Sequence, residues 1–287
     1  MVVKVVTDSS SDLPPETVRE LGITVVPLYI RLGDETYRDG VDITPDQFYE
    51  KLGRSRRLPR TSIPSPGDFA RVYQELAAAA DGILSIHLSP RYSGAINAAT
   101  VARGYAPEGC PVEVLDSRSV SMGCGFVVMA AARAAREGAN LAAVMEAAGQ
   151  AIKRTHIVGM IADIHYLLGG RRLSLPGWHL FLGRLGTVLR FKLVGEIYEA
   201  GKVRGRGMFF NQAKALARLE QCLTGYPSPE EIAVLHARQP EWAKNIADRL
   251  VKAYPGRSVR VSRLSAATGS HGGPRAVAVA FIESASP

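Results

Sequence analysis

Apolar runs of period two alternate with helix-period segments through the first half of the chain. The β-branched run over 2–6 predicts a strand, and Ser11 or Asp12 then stands where a cap belongs for a helix over 15–21. A second strand is predicted over 24–32. A short helix follows over 45–52, with Thr44 as its N-cap and Pro45 at its first position. Phe69, Val72, Tyr73 and Leu76 form one stripe of a helix over 66–80 capped by Ser65. A buried strand over 82–88, a small-residue helix over 94–103 and a strand over 112–115 come next. Two alanine-rich helices, over 120–136 and 141–153, close this half. The βαβα rhythm argues for a mainly parallel sheet covered by helices on both faces.

The pattern changes near residue 155, where a domain boundary is expected, giving domains of 1–155 and 156–287. An extended run over 157–161 leads through 164–168 into Gly169, Gly170, Arg171 and Arg172. Residues 191–198 and the turn at 199–202 resemble one arm of a hairpin. A helix over 209–223, a strand over 232–236, a helix over 242–254 and strands over 258–264 and 276–282 complete the chain. The expectation is a second α/β domain with a mixed sheet.

Composition adds limits. At 287 residues with 46% hydrophobic and 22% charged positions, the chain can bury a core without staples. Cys110, Cys124 and Cys222 are scattered and form no CxxC pair, so they read as reduced thiols and not as metal ligands. The first residues lack the core of an export signal. The longest uncharged stretch, 119–132, is too short to cross a bilayer. A cytoplasmic protein is expected, with no stable membrane insertion and at most transient membrane contact. The formal charge of +8 includes a patch at Arg54, Arg56, Arg57 and Arg60. Without interleaved aromatics it reads as a solvated loop more readily than as a nucleic-acid surface.

The usual phosphate-loop, dinucleotide, nucleophile-elbow and zinc-peptidase motifs do not occur. Four clusters of hydroxyls and glycines remain. Thr7-Asp8-Ser9-Ser10-Ser11-Asp12 lies at the carboxyl end of the first strand, where open α/β sheets bind ligands; the alternative is a capping turn. Thr61-Ser62-Ile63-Pro64-Ser65-Pro66 is stiffened by two prolines, and Thr61 lies too far upstream to be a cap. Ser93, at an expected N-cap, precedes Gly94 and Ala95, whose free N–H groups and small side chains suit an anion. His271 stands in a glycine-rich loop and could donate a hydrogen bond to a carboxylate, although a lone histidine is also a common structural residue.

Taken together, these segments resemble the DegV family of bacterial lipid-binding proteins. The matching stretches are 5–14, 38–43, 61–65, 89–95, 114–117, Gly169-Gly170-Arg171 and 269–274, in the same order along nearly the whole chain. The resemblance implies two α/β domains with a fatty acid between them, about C16–C18, and no other cofactor. It implies a carboxylate held by Thr61, Ser93, the N–H groups of Gly94 and Ala95, and His271. Such proteins resemble the acyl-carrying subunit of bacterial fatty-acid kinase, which presents the carboxylate to a separate ATP-dependent subunit. Two departures stand out: Ala95 where the family usually has threonine, and Arg275 where it commonly has glycine.

From these readings Ile63, Ile164, Leu167 and Leu168 are candidates for a tunnel wall. Arg171, Arg172, Arg204 and Arg206 are candidates for a basic rim that docks the kinase subunit. Two rival functions remain at this stage: a serine acyl hydrolase or transferase using Ser93 and His271, with Asp116, and a basic nucleic-acid binder.

Overall fold

The computed structural model describes residues 1–55, 57–169, 191–199, 201–223, 225–226 and 229–284. Strands β1 (Val3–Asp8), β2 (Thr24–Val26), β6 (Gly82–His87) and β7 (Val112–Asp116) form a parallel sheet in the order β2-β1-β6-β7. Its two faces are both covered. Val6, Ile83 and Val112 pack with Phe69, Tyr73 and Ala99 of α3 (Pro66–Ala77) and α4 (Ala95–Arg103). Val3, Val5, Leu84 and Ile86 pack on α5 (Met122–Arg136) and α6 (Leu141–Arg154).

The second domain carries a six-stranded mixed sheet, β10-β9-β8-β13-β11-β12. Its members are β8 (Thr155–Ile161), β9 (Lys192–Tyr198), β10 (Lys202–Phe209), β11 (Pro229–His236), β12 (Ser258–Arg263) and β13 (Val277–Glu283). Period-two alternation divides β8 and β13 between two cores. Val158, Met160, Val277, Val279 and Phe281 meet α8 (Gln212–Leu223) and α9 (Pro240–Ala253), whereas Ile157, Ala278, Ala280 and Ile282 join the core around α5. Helix α5 therefore lies between the two sheets, buried along most of its length. The architecture is the expected two-domain α/β one.

Several local expectations change. The strand over 24–32 is two strands, because Pro27 offers no N–H to a ladder. Its second part, β3 (Tyr29–Leu32), joins β4 (Glu35–Arg38) and β5 (Arg60–Ser62) in a small antiparallel sheet. Helix α1 (Pro15–Leu21) has Pro14 at its N-cap with no side-chain cap, so neither Ser11 nor Asp12 serves it. Phe209 ends β10, and the next helix starts at Gln212, with the side-chain Oδ1 of Asn211 accepting the Lys214 N–H at 3.1 Å. The capping boxes are as the sequence suggests: Thr44 with Gln47 on α2 (Pro45–Arg54), and Ser65 with Asp68 on α3. Among the described residues, no helix is long and apolar enough to cross a membrane.

Candidate functional site

A cavity of about 650 Å³ opens between the two domains. Its apolar wall is the α5-facing surface of the C-terminal sheet, with Ile157 and Ile161 on β8, Leu193 and Ile197 on β9, and Val203 on β10. Leu167 of α7 (Ile164–Gly169) also lines it. Ile63 packs instead with the α3 and α4 core, and Ile164 with Phe191, so these two are not wall residues. The side chain of Leu168 lies outside the described residues.

The polar lining is concentrated at loop and helix ends, with Ser10, Tyr92, Ser93, Ser121, Thr268 and His271; Glu196 on β9 is the exception. His271 is not in a loop. It belongs to a short helix, α10 (Ala266–Gly272), which propensity alone would not support because it carries two glycines in seven residues. Tertiary contacts hold that helix. The Asp39 carboxylate accepts the Ala266 and Ala267 N–H groups at 3.1 and 3.2 Å, and Asp12 accepts the Ser265 N–H at 2.9 Å. The Tyr49 hydroxyl donates to the Leu264 carbonyl at 3.2 Å. Only glycine fits at position 269, where a Cβ would stand 2.1 Å from that hydroxyl.

Held this way, His271 Nε2 lies 2.9 Å from Thr61 Oγ1 on β5, although the two residues are 210 positions apart. Gly94 packs on Ile63, so the turn bearing Ser93 touches the segment bearing Thr61. Thr61, Ser93, Gly94, Ala95 and His271 thus lie close together; Ser93 and His271 line the cavity, whereas Thr61, Gly94 and Ala95 stand behind its surface. One detail differs from expectation. Gly94 is the N-cap of α4 and Ser93 precedes it, its Oγ accepting the Ala95 N–H at 3.2 Å.

Two further networks, not assigned from sequence, fix this end. Asp8 accepts from the hydroxyl and N–H of Ser10, and its Oδ2 lies 2.7 Å from His87 Nδ1. His87 Nε2 is 2.8 Å from Ser85 Oγ, which accepts from the Tyr73 hydroxyl at 2.8 Å. This chain is fully buried, and burial pushes the Tyr73 hydroxyl up to about 12. In the second network Asp12 accepts from Ser121 Oγ at 2.5 Å and Thr268 Oγ1 at 2.9 Å. Burial pushes the Asp12 carboxyl up to about 7, against the lowering effect of its donors. The dense Thr7–Asp12 run was the available signal for both networks; Ser121 had none.

The β9–β10 hairpin meets the turn that bears Ser93. The Tyr92 hydroxyl donates to the Gly201 carbonyl at 2.5 Å. Gly201 has φ +76°, and a Cβ there would lie 2.5 Å from Ser89 Oγ.

The expected basic rim is not an open one. Arg206 and Arg204 reach the buried Glu196 at 2.6 and 3.5 Å, and Arg204 also lies over the Tyr198 ring at 4.0 Å. Arg171 and Arg172 fall outside the described residues. Arg275 clasps Asp163 through Nε at 3.0 and 3.1 Å, tying the segment after α10 to the start of α7. In the N-terminal patch, Arg54 pairs with Glu50 and Arg57 with Asp34. Asp116, the third member of the hydrolase reading, accepts the Arg118 N–H at 2.7 Å.

Comparison with known proteins decides the family. The model of the DegV family, described as "uncharacterised protein, DegV family", matches residues 2–284. The chain belongs to the DegV family. A DegV domain-containing protein of Streptomyces coelicolor is 35% identical over 276 residues, covering 95% of each chain. Among solved structures, a DegV family protein from Thermus thermophilus, reported for its fatty-acid binding, aligns with a TM-score of 0.86 and 30% identity, over 99% of this chain and 100% of its own. DegV of Bacillus subtilis, a fatty acid binding protein, gives a TM-score of 0.87 and 26% identity over the same shares.

Proposed function

We propose that this DegV protein binds one long-chain fatty acid, about C16–C18, and presents its carboxylate to a separate ATP-dependent kinase subunit without transforming it. The observation that carries this reading is a mostly apolar cavity between the domains whose hydroxyls and histidine come from loop and helix ends. Its volume falls within the range of about 300–1,000 Å³ common to small-molecule sites. A buried carboxylate needs donors, and charge-assisted hydrogen bonds contribute roughly 1.5–3 kcal/mol each. Thr61, Ser93, the Gly94 N–H and His271 are the proposed donors, with the Ala95 N–H shared between the ligand and Ser93 Oγ, which accepts it in this structure. The tail contributes about 0.8 kcal/mol per buried methylene, so it supplies most of the affinity while the polar end sets the register.

The fatty-acid-binding relatives support the ligand class. The kinase partner follows from the resemblance alone. Arg204, about half exposed (48% of its side chain), retains a cation to offer that partner. The Arg204→Glu variant should lower acyl-phosphate formation in the reconstituted pair while fatty-acid binding persists. We further propose a division at 1–155 and 156–287, where α6 runs directly into β8, and a cytoplasmic setting in keeping with three free thiols. No nucleic-acid partner is invoked, since carboxylates already pair with Arg54 and Arg57.

Native mass spectrometry of the purified chain tests the reading. A co-purified C16–C18 acid at one per chain is the expected result. Catalytic turnover of activated acyl esters that Ser93→Ala abolishes would assign a hydrolase instead.

A further inference from the structure

Ser121 and Asp12 form a device that the carboxylate ligands named above do not include. Ser121 lines the cavity, is buried, and has φ +52° and ψ −143°, a conformation that costs a non-glycine residue of order 1–3 kcal/mol. It stands at the N-cap of α5 yet makes no side-chain cap there. Its hydroxyl goes instead to Asp12 Oδ2. The other oxygen, Oδ1, accepts the Ser265 N–H and the Thr268 hydroxyl, both at 2.9 Å. The Thr268 bond to Asp12 is shorter than its alternatives to Ser265 Oγ at 3.2 Å and to the Ser265 carbonyl at 3.4 Å, so that proton belongs to Asp12. Oδ1 is held by an N–H that cannot reverse. Oδ2 faces a hydroxyl that can.

We infer that Asp12 is a positioning residue for the lipid head group, and that Ser121 is a further ligand whose hydroxyl turns toward the carboxylate when Asp12 takes up one proton. This rests on the fatty-acid reading above. With Asp12 ionised, the Ser121 proton is spent on Oδ2 and its oxygen presents lone pairs to the cavity, which repel a carboxylate. With Oδ2 protonated, Asp12 donates to Ser121 Oγ, and the serine proton is released to point at the ligand. One lipid anion and one proton bind together. The proton comes from solvent, or from the acid itself when it enters neutral, passing to Ser121 Oγ as the serine proton moves to Asp12.

Burial already brings the Asp12 carboxyl close to neutrality, so a second negative charge nearby suffices to complete the protonation. The other ionisable groups around this hub are Tyr49 on α2, Asp39, Arg263 beyond the Tyr49 ring, and His271 on α10; Cys124 on α5 interacts with Asp8. Asp39, whose carboxyl burial also pushes up, and His271 are the groups among these that could mimic the effect, and proton uptake that survives in Asp12→Asn would belong to one of them.

The experiment is calorimetry of the delipidated full chain with oleate at pH 8, in two buffers of different ionisation enthalpy, together with affinities at pH 6 and pH 8. The wild type should take up close to one proton per oleate and bind about tenfold more weakly at pH 8 than at pH 6. Asp12→Asn should show near-zero uptake and a flat pH profile, while His271→Gln binds more weakly but keeps the uptake. Ser121→Ala, which serves if Asp12→Asn is not recovered folded, should bind more weakly than the wild type at both pH values and lose most of the difference between them. Binding without proton uptake, uptake unchanged in Asp12→Asn, or a Ser121→Ala profile like that of the wild type overturns the inference alone. A wild type that binds no oleate at either pH overturns the carrier reading and this one with it.

Discussion

The polar end of the cavity and its apolar wall are built from different materials. The polar end uses loop and helix termini: the Ser9–Ser11 turn, the turn before α4, the start of α5, and α10, with β5 behind them. The wall uses the flat faces of β8, β9 and β10. A ladder positions its side chains through its own regular hydrogen bonds. The polar end has no such lattice, so each polar side chain is fixed by a partner: Ser10 by the buried Asp8, Ser121 and Thr268 by the buried Asp12, and His271 by Thr61. The difference teaches that the wall should tolerate changes in shape at a graded cost, whereas the polar end should respond to single atoms.

The sharpest way to break this contrast is to fill the wall. Gly159 shares the cavity-facing side of β8 with Ile157 and Ile161, and a Cβ there meets nothing closer than 3.7 Å. The Gly159→Leu variant should stay folded and displace about four methylenes of ligand, weakening oleate binding by about 3 kcal/mol, or about a hundredfold. Fluorescent fatty-acid titration measures this. Unchanged affinity would remove the wall from the site.

Next come the hydroxyls. Thr61→Ala and Ser93→Ala should each weaken binding by about tenfold or more, with little change in thermal stability, if each loses one charge-assisted bond. The same titration, run with a fatty alcohol of equal length, should show no difference between these variants and the wild type. Equal losses for acid and alcohol would mean that the hydroxyls act on shape and not on charge.

A smaller kinetic effect belongs to the hairpin. Tyr92→Phe removes the hydrogen bond to Gly201 and should speed ligand release several-fold in stopped-flow displacement while leaving equilibrium affinity within about twofold. The smallest effect concerns stability. Because burial raises the Asp12 carboxyl from 3.8 to about 7, its contribution to folding is complete below about pH 4 and is lost as pH rises through 7. The melting temperature of the unliganded wild type should therefore fall between pH 5 and pH 8 by a few degrees more than that of Asp12→Asn. A parallel fall in both would place the titration elsewhere.

The parallel sheet and its helices were legible because Val3, Val5 and Val6 sit beside helices with clear apolar stripes, such as Phe69, Tyr73 and Leu76. Strands β4 and β5 were not. Glu35–Arg38 is mostly exposed and Arg60–Ser62 is three residues long, so neither carries a burial pattern to read. Helix α10 was hidden for a related reason: Gly269 and Gly272 argue against a helix, and the groups that hold it, Asp12, Asp39 and Tyr49, come from more than 200 positions away. Four of the five candidate carboxylate ligands lie in short runs of hydroxyls and glycines visible in the sequence, and His271 lies in a glycine-rich one. Ser121 was missed because its distinction is a backbone angle and a single partner, and neither leaves a compositional trace.

Helix α5 has a consequence for how the halves come apart. The core around α5 runs without a break from the parallel sheet to β8 and β13, so the two halves hold one interior in common. Prising them apart like a clamshell would expose that interior to water. Heating should therefore melt both halves in one event.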